Sequence, residues 1–182
     1  MKIKTYRGWI IFVLFCAACY AISGKASFPT ESEVLVAYLQ AFPEVKSIGI
    51  IYSQPDMEDT IQKLTESAET KKVNVIKIRA PSIKEFPQAL RDMKDKVDTF
   101  WVLDDPLYSM KEAWTYFIMF SLRNGIKTVV FSEKVLADGG LFFYTEKKEI
   151  MVNKRILDVN GFKVSEKAGP VKYFGESSQE SN

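Results

Sequence analysis

Lys46-Ser-Ile-Gly-Ile-Ile-Tyr-Ser53 opens, and Asp98-Thr-Phe-Trp-Val-Leu-Asp-Asp105 closes, the stretch that decides how this chain folds. Each run is rich in β-branched and aromatic residues and is long enough for one strand. Neither alternates cleanly between apolar and polar side chains, the habit of strands covered on both faces in a parallel sheet. Between them lie a helical pattern to about Lys71, a short strand over residues 73–78 and a second helical pattern to about Lys94. Strand, helix, strand, helix, strand is the rhythm of a parallel α/β layer.

Upstream, Thr30-Glu-Ser-Glu33 reads as a capping box, in which hydroxyl and carboxylate satisfy each other's free backbone donors. The helix behind it places Val34, Leu35, Tyr38, Leu39 and Phe42 on one stripe, and Pro43 ends it. The first strand is then Ser47–Tyr52. Asp56 is the expected cap of the next helix, whose buried line is Ile61, Leu64 and Ala68. Ser82-Ile-Lys-Glu85 offers a second box, although Pro87 removes a bond of the first turn and moves the start toward Glu85 or Phe86. The third strand covers residues 99–103.

Ser109-Met-Lys-Glu112 is a third box, opening the most hydrophobic helix over residues 110–123, and Asn124-Gly125 closes it. Trp114, Phe117, Ile118 and Leu122 are its buried candidates. A fourth strand over residues 127–131 is followed by a short helical turn over residues 132–137. Residues 141–145 and 149–152 flank Glu146-Lys-Lys-Glu149 as a hairpin at the sheet edge. A short helix over residues 154–159 ends at Asn160-Gly161, and residues 162–164 are read as a last strand. The expectation is a single flavodoxin-like three-layer α/β domain over residues 27–174. Its sheet is mostly parallel, in the order 2-1-3-4, with the C-terminal hairpin at the edge. The polar tail of residues 175–182 is read as disordered.

The first 26 residues read as a targeting signal. Lys2, Lys4 and Arg7 precede an apolar run over residues 8–23, and small residues follow. The run is shorter than the ~20 residues of a spanning helix, so a cleaved secretory signal is the first reading and an uncleaved anchor the second. Cleavage after Ala26 is one exit. Leu14-Phe-Cys-Ala-Ala-Cys19 faintly resembles a lipobox, with Cys19 as the lipidated residue. Both cysteines lie in this segment, so the mature chain has no disulfide framework. Four of the 25 basic residues and none of the 23 acidic ones lie in residues 1–26, so the remainder carries a formal charge of −2. No basic stripe is left to argue for nucleic acid.

The chain has no histidine, so the usual general base and the commonest metal ligand are both missing. Without a mature cysteine, thiol chemistry and thiolate metal sites are excluded. Neither glycine-rich phosphate cradle occurs. The reading is a non-enzymatic protein without cofactor or metal. In an open parallel sheet, ligands bind beyond the carboxyl ends of the strands, near the switch in strand order. Here that switch lies between strands one and three. The loops there are Ser53-Gln54-Pro55-Asp56 and Asp104-Asp105-Pro106-Leu107-Tyr108-Ser109. The Ser109 hydroxyl and the amides above it would hold an anion such as a carboxylate. Asp104 or Asp105 would accept an ammonium. Ser132, after strand four, lies beside the same face. Together these residues suit an amino-acid-like zwitterion. A second reading makes Ser53, Asp56, Ser109 and Ser132 plain helix caps and Asp-Asp-Pro an ordinary turn. Trp101, Trp114 and Phe117 are read as core rather than as a stacking platform. A phosphorylation receiver would need acidic residues after strand one, where this chain has Tyr52-Ser53.

Val45-Lys-Ser-Ile-Gly-Ile-Ile-Tyr-Ser53, Ser82-Ile-Lys-Glu-Phe-Pro-Gln-Ala-Leu90, Lys96-Val-Asp-Thr-Phe-Trp-Val-Leu-Asp-Asp105 and Phe131-Ser-Glu-Lys134 with Gly139-Gly-Leu141 form one pattern. It resembles a ligand-binding lobe of the ABC transporter substrate-binding family, within the periplasmic-binding-protein-like class. The likeness covers about residues 45–143. It implies an exported, non-catalytic binder of a small solute, amino acids among them, working with a membrane permease or as a sensory accessory. Ligands of that family sit between two lobes, and a two-lobed member is about twice this length. By the same resemblance Ser53, Asp104, Asp105 and Ser132 fall where a lobe faces its ligand. Gly139-Gly-Leu-Phe-Phe-Tyr144, Glu149-Ile-Met-Val-Asn153 and Val159-Asn-Gly-Phe-Lys-Val-Ser165 resemble the end of YfiR-type periplasmic regulators. That likeness implies instead docking to a membrane signalling protein, with the hydrophobic stretch 141–144 as the edge that docks.

Overall fold

A computed structural model of the chain describes residues 28–175. The segment read as a signal, and the tail beyond Gly175, lie outside the described residues. The elements run α1 (Glu31–Ala41), β1 (Ser47–Tyr52), a 3-10 turn (Pro55–Met57), α2 (Glu58–Thr70), β2 (Asn74–Arg79), α3 (Phe86–Met93) and β3 (Thr99–Trp101). They continue through α4 (Pro106–Ser109), α5 (Lys111–Arg123), β4 (Lys127–Val130), α6 (Glu133–Ala137), β5 (Phe142–Tyr144), β6 (Ile150–Asn153) and α7 (Lys154–Asn160). A 3-10 turn (Glu166–Ala168) and β7 (Val171–Phe174) complete the chain. Among the described residues no helix is long and apolar enough to cross a membrane.

The seven strands form one sheet in the order β2-β1-β3-β4-β5-β6-β7. β2, β1, β3, β4 and β5 run parallel, β6 turns back antiparallel to β5, and β7 lies parallel to β6. The 2-1-3-4 order is therefore the one expected. The hairpin is not at the edge, because β7 covers β6, so Leu141–Tyr144 belongs to the sheet interior rather than to a docking edge. Residues 162–164 make no strand. They cross beneath α1 instead, where Ser165 N donates to Ala41 O at 2.8 Å and Phe162 packs under the ammonium of Lys127, 4.7 Å from its ring centre.

The unbroken apolar runs feed two cores, one on each sheet face. Along β1 and β3, Ile48, Ile50, Tyr52, Trp101 and Leu103 point to the side packed by α1, α2 and α7. Ile51, Phe100 and Val102 point to the side packed by α3, α5 and α6. Trp101 and Phe117 are core residues, 0 % exposed, while Trp114 is half-buried. Gly49 lets α3 approach: a Cβ there would meet Met93 Sδ at 2.9 Å, Val97 Cγ1 at 3.0 Å and Phe100 Cδ1 at 3.1 Å.

The capping box of α1 forms as expected, Glu33 N donating to Thr30 Oγ1 and Thr30 N to Glu33 Oε2. The other two boxes do not open helices. α3 starts behind Glu85, beyond Ser82, in keeping with Pro87 in its first turn. α5 starts behind Met110, which supplies no side-chain cap, and Ser109 ends the short α4. Asp56 likewise sits inside a 3-10 turn, and α2 begins behind Met57.

Candidate ligand groove

Two aspartates tie β1 to β3, one at each end. At the amino end Asp98 Oδ2 accepts Lys46 N and Ser47 N at 2.9 Å each, and Ser47 Oγ at 2.8 Å. At the carboxyl end, where the strand order switches, Asp105 is 1 % exposed. Its Oδ2 accepts Ser53 N at 2.7 Å and Gln54 N at 3.3 Å, and its Oδ1 accepts Ser53 Oγ at 2.7 Å and Leu107 N at 2.8 Å. Arg79 Nε donates to Ser53 O at 3.4 Å, and Tyr108 Oη to Ile51 O at 3.0 Å. Burial, with the Asp105 charge close by, pushes the Tyr108 hydroxyl's pKa upward and keeps it a donor. The donors of the switch point are thus filled by the protein's own carboxylate.

The concave site lies one strand further along. A groove of about 940 Å³ opens over the carboxyl ends of β3, β4 and β5. Its apolar wall includes Val34, Met57, Leu103, Phe131, Phe143 and Met151. Phe131 is 38 % exposed, and its ring rests 5.6 Å from that of the buried Trp101. The start of α1 and the turn between β5 and β6 form the rims. They are bound together by Lys148 Nζ to Glu33 Oε1 at 2.6 Å, and β7 joins through Lys172 Nζ to Glu149 Oε2 at 2.8 Å. A smaller hollow, about 500 Å³, follows the outer face of the single helix α5.

The six residues expected at the site divide accordingly. Asp104 and Ser132 line the groove, together with Glu133. Ser132 Oγ also caps α6, accepting Val135 N at 3.2 Å. Ser53, Gln54 and Asp105 form the sealed switch point beside it, so Asp105 is engaged before any ammonium arrives. Ser109 is exposed and lines neither cavity. Phe131, Tyr144 and the rim carboxylates Glu31, Glu133, Glu146 and Glu149 went unread as site residues. The position of Phe131 at a strand end was the one available signal. Among the described residues no group of three carboxylates is placed to hold a metal ion.

A parallel α/β unit with a ligand-sized groove at its strand ends has the form of a solute-binding lobe. The chain belongs to the family described as ABC transporter substrate binding protein, whose model matches residues 30–153, more than half of the sequence. No curated protein matches it in sequence. Solved structures share the fold, among them the following three. One is the ABC domain in complex with L-Trp from Streptococcus pneumonia, at 18% identity and TM-score 0.66, covering 78% of this chain and 60% of that one. Another is a conserved domain protein from Vibrio cholerae, at 15% identity and TM-score 0.65, covering 78% and 58%. The third is a ligand-free, open substrate binding protein with adhesive properties from Clostridium difficile, at 17% identity and TM-score 0.62, covering 78% and 58%. The chain thus spans about 60% of the length of the structures it resembles.

Proposed function

We propose that this protein is a non-catalytic solute-binding component of an ABC-type transport or sensing system outside the cytoplasm. It takes up a small organic molecule in the groove above β3, β4 and β5 and presents it to a membrane permease. The observation that carries this reading is the groove's position. It sits at the carboxyl ends of parallel strands, in a chain of the substrate-binding family, and its volume of about 940 Å³ suits a small metabolite. Its half-exposed Phe131 favours a solute with an apolar or aromatic body, and Asp104 favours one with an amino group.

The test is a thermal-shift screen of the purified chain against amino acids, amines, organic acids and sugars. A ligand at ~100 times its dissociation constant adds about 2.7 kcal/mol, a rise of roughly 5 °C or more for a domain of this size. A hit that is weakened by Phe131→Ala supports the groove as the site. A cooperative melt that no solute moves overturns the reading and directs attention to protein docking of the YfiR kind.

A further inference from the structure

We infer that the groove selects organic cations, an amine on an apolar body, over the zwitterionic and anionic forms of the same body. The inference rests on the solute-binding reading and deepens it. A carboxylate needs donors, and those at the switch point are spent. The amides of Ser53, Gln54 and Leu107 and the hydroxyl of Ser53 all donate to Asp105. Nor does Ser109 cap a helix, and Ser132 Oγ, which accepts Val135 N, brings only its one hydroxyl proton to the groove.

The groove's charge points the same way. Five carboxylates line it, from Glu31, Asp104, Glu133, Glu146 and Glu149, against the two ammonium groups of Lys147 and Lys172. Lys172 is bound to Glu149, so Lys147 alone stands against the carboxylates of Glu31, Asp104, Glu133 and Glu146. Absence of a metal-holding cluster among the described residues makes a bare divalent ion a poor occupant. Beside Asp104 and Glu133, Phe131 offers a ring that attracts a cation as well as an apolar body. Charge, donor economy and the aromatic wall converge on an ammonium with an apolar tail.

The experiment uses matched triplets that share a body and differ in charge. These are tryptamine, tryptophan and indole-3-propionate; phenethylamine, phenylalanine and 3-phenylpropionate; and isoamylamine, leucine and 4-methylpentanoate. Binding to the full chain is measured by calorimetry at low and high salt. In at least one triplet the amine should bind about tenfold or more tightly than its partners, a difference of about 1.4 kcal/mol. Its affinity should fall with added salt and drop about tenfold in Asp104→Asn/Glu133→Gln. Both side chains are exposed, so the variant should melt like the parent. Equal or tighter binding of a zwitterion or an acid overturns the charge preference and leaves solute binding standing. Amine binding that the double variant does not change overturns the assignment to this groove. Failure of all nine compounds, together with a silent solute screen, overturns both readings.

Discussion

At the scale of single residues, Asp104 and Asp105 are neighbours in sequence with opposite fates. Asp104 lies exposed on the groove, while Asp105 is buried and accepts four hydrogen bonds from two loops. Removing Asp105 leaves buried donors without an acceptor, so Asp105→Ala should cost about 3 kcal/mol in urea denaturation. Asp105→Asn should cost less, because one oxygen remains as acceptor, but not be neutral, because the amide nitrogen would face Ser53 N and Gln54 N as donor against donor. Asp104→Ala should fall within about 0.5 kcal/mol of the parent, as an exposed substitution. Equal costs for the two aspartates would refute the separation of clamp from groove. The sequence held this pair as one feature, since composition alone cannot tell which of two adjacent carboxylates turns inward. Spacing carries the distinction: Asp98 and Asp105 stand seven residues apart, at the two ends of β3, facing Ser47 and Ser53 at the two ends of β1.

At the scale of elements, the strands with unbroken apolar runs were legible and the short alternating one was not. β1, β3 and β4 are buried on both faces, so burial and β-propensity agree along their length. β7, Val171-Lys-Tyr-Phe174, carries exposed residues at its centre and gives only a weak signal. Phe162-Lys-Val164 alternates just as well but is held across the base of α1 by tertiary contacts. The capping-box pattern named the wrong cap at two helices: Pro87 moves the start of α3 to Phe86, as its place in the sequence indicated, whereas Ser109 ends the short α4 that Pro106 opens, a turn that went unread. One glycine in β1 was equally silent. Gly49 stands where α3 and the β3 side chain press closest, and any added Cβ displaces Met93, Val97 or Phe100. Gly49→Ala should therefore destabilise by about 1 kcal/mol and Gly49→Val by about 3 kcal/mol, read from urea midpoints. A neutral Gly49→Val would mean that α3 rides further from the sheet than the structure places it.

At the scale of the whole molecule, the carboxylates whose acidity the fold alters lie on its joints. Glu33 is held below its ordinary 4.5 by the Lys148 ammonium bonded to it and by the Thr30 amide. The Lys172 ammonium does the same for Glu149. At Asp98, partial burial raises the pKa, but the Lys46 amide and the Ser47 hydroxyl and amide outweigh it, and the net shift is downward. A carboxylate with a depressed folded-state pKa stabilises the fold above its unfolded value, and that contribution is lost as pH falls through the folded value. The urea midpoint should thus be level near neutrality and decline once pH drops below about 4.5, the ordinary glutamate value. The loss has a place as well as a size. Glu33 and Glu149 both anchor the β5–β6 turn, one to α1 and the other to β7, whereas Asp98 sits at the opposite end of the sheet. Acid should loosen the groove's rim, so amide exchange over residues 145–149, taken relative to its intrinsic rate, should quicken as pH falls below about 4.5, before the β1 and β3 amides respond. In Glu33→Gln/Glu149→Gln the early local quickening should disappear, because the rim then lacks the two pairs at every pH. Simultaneous loss of protection across the sheet would instead make these exposed pairs incidental, leaving the rim to be held by packing alone.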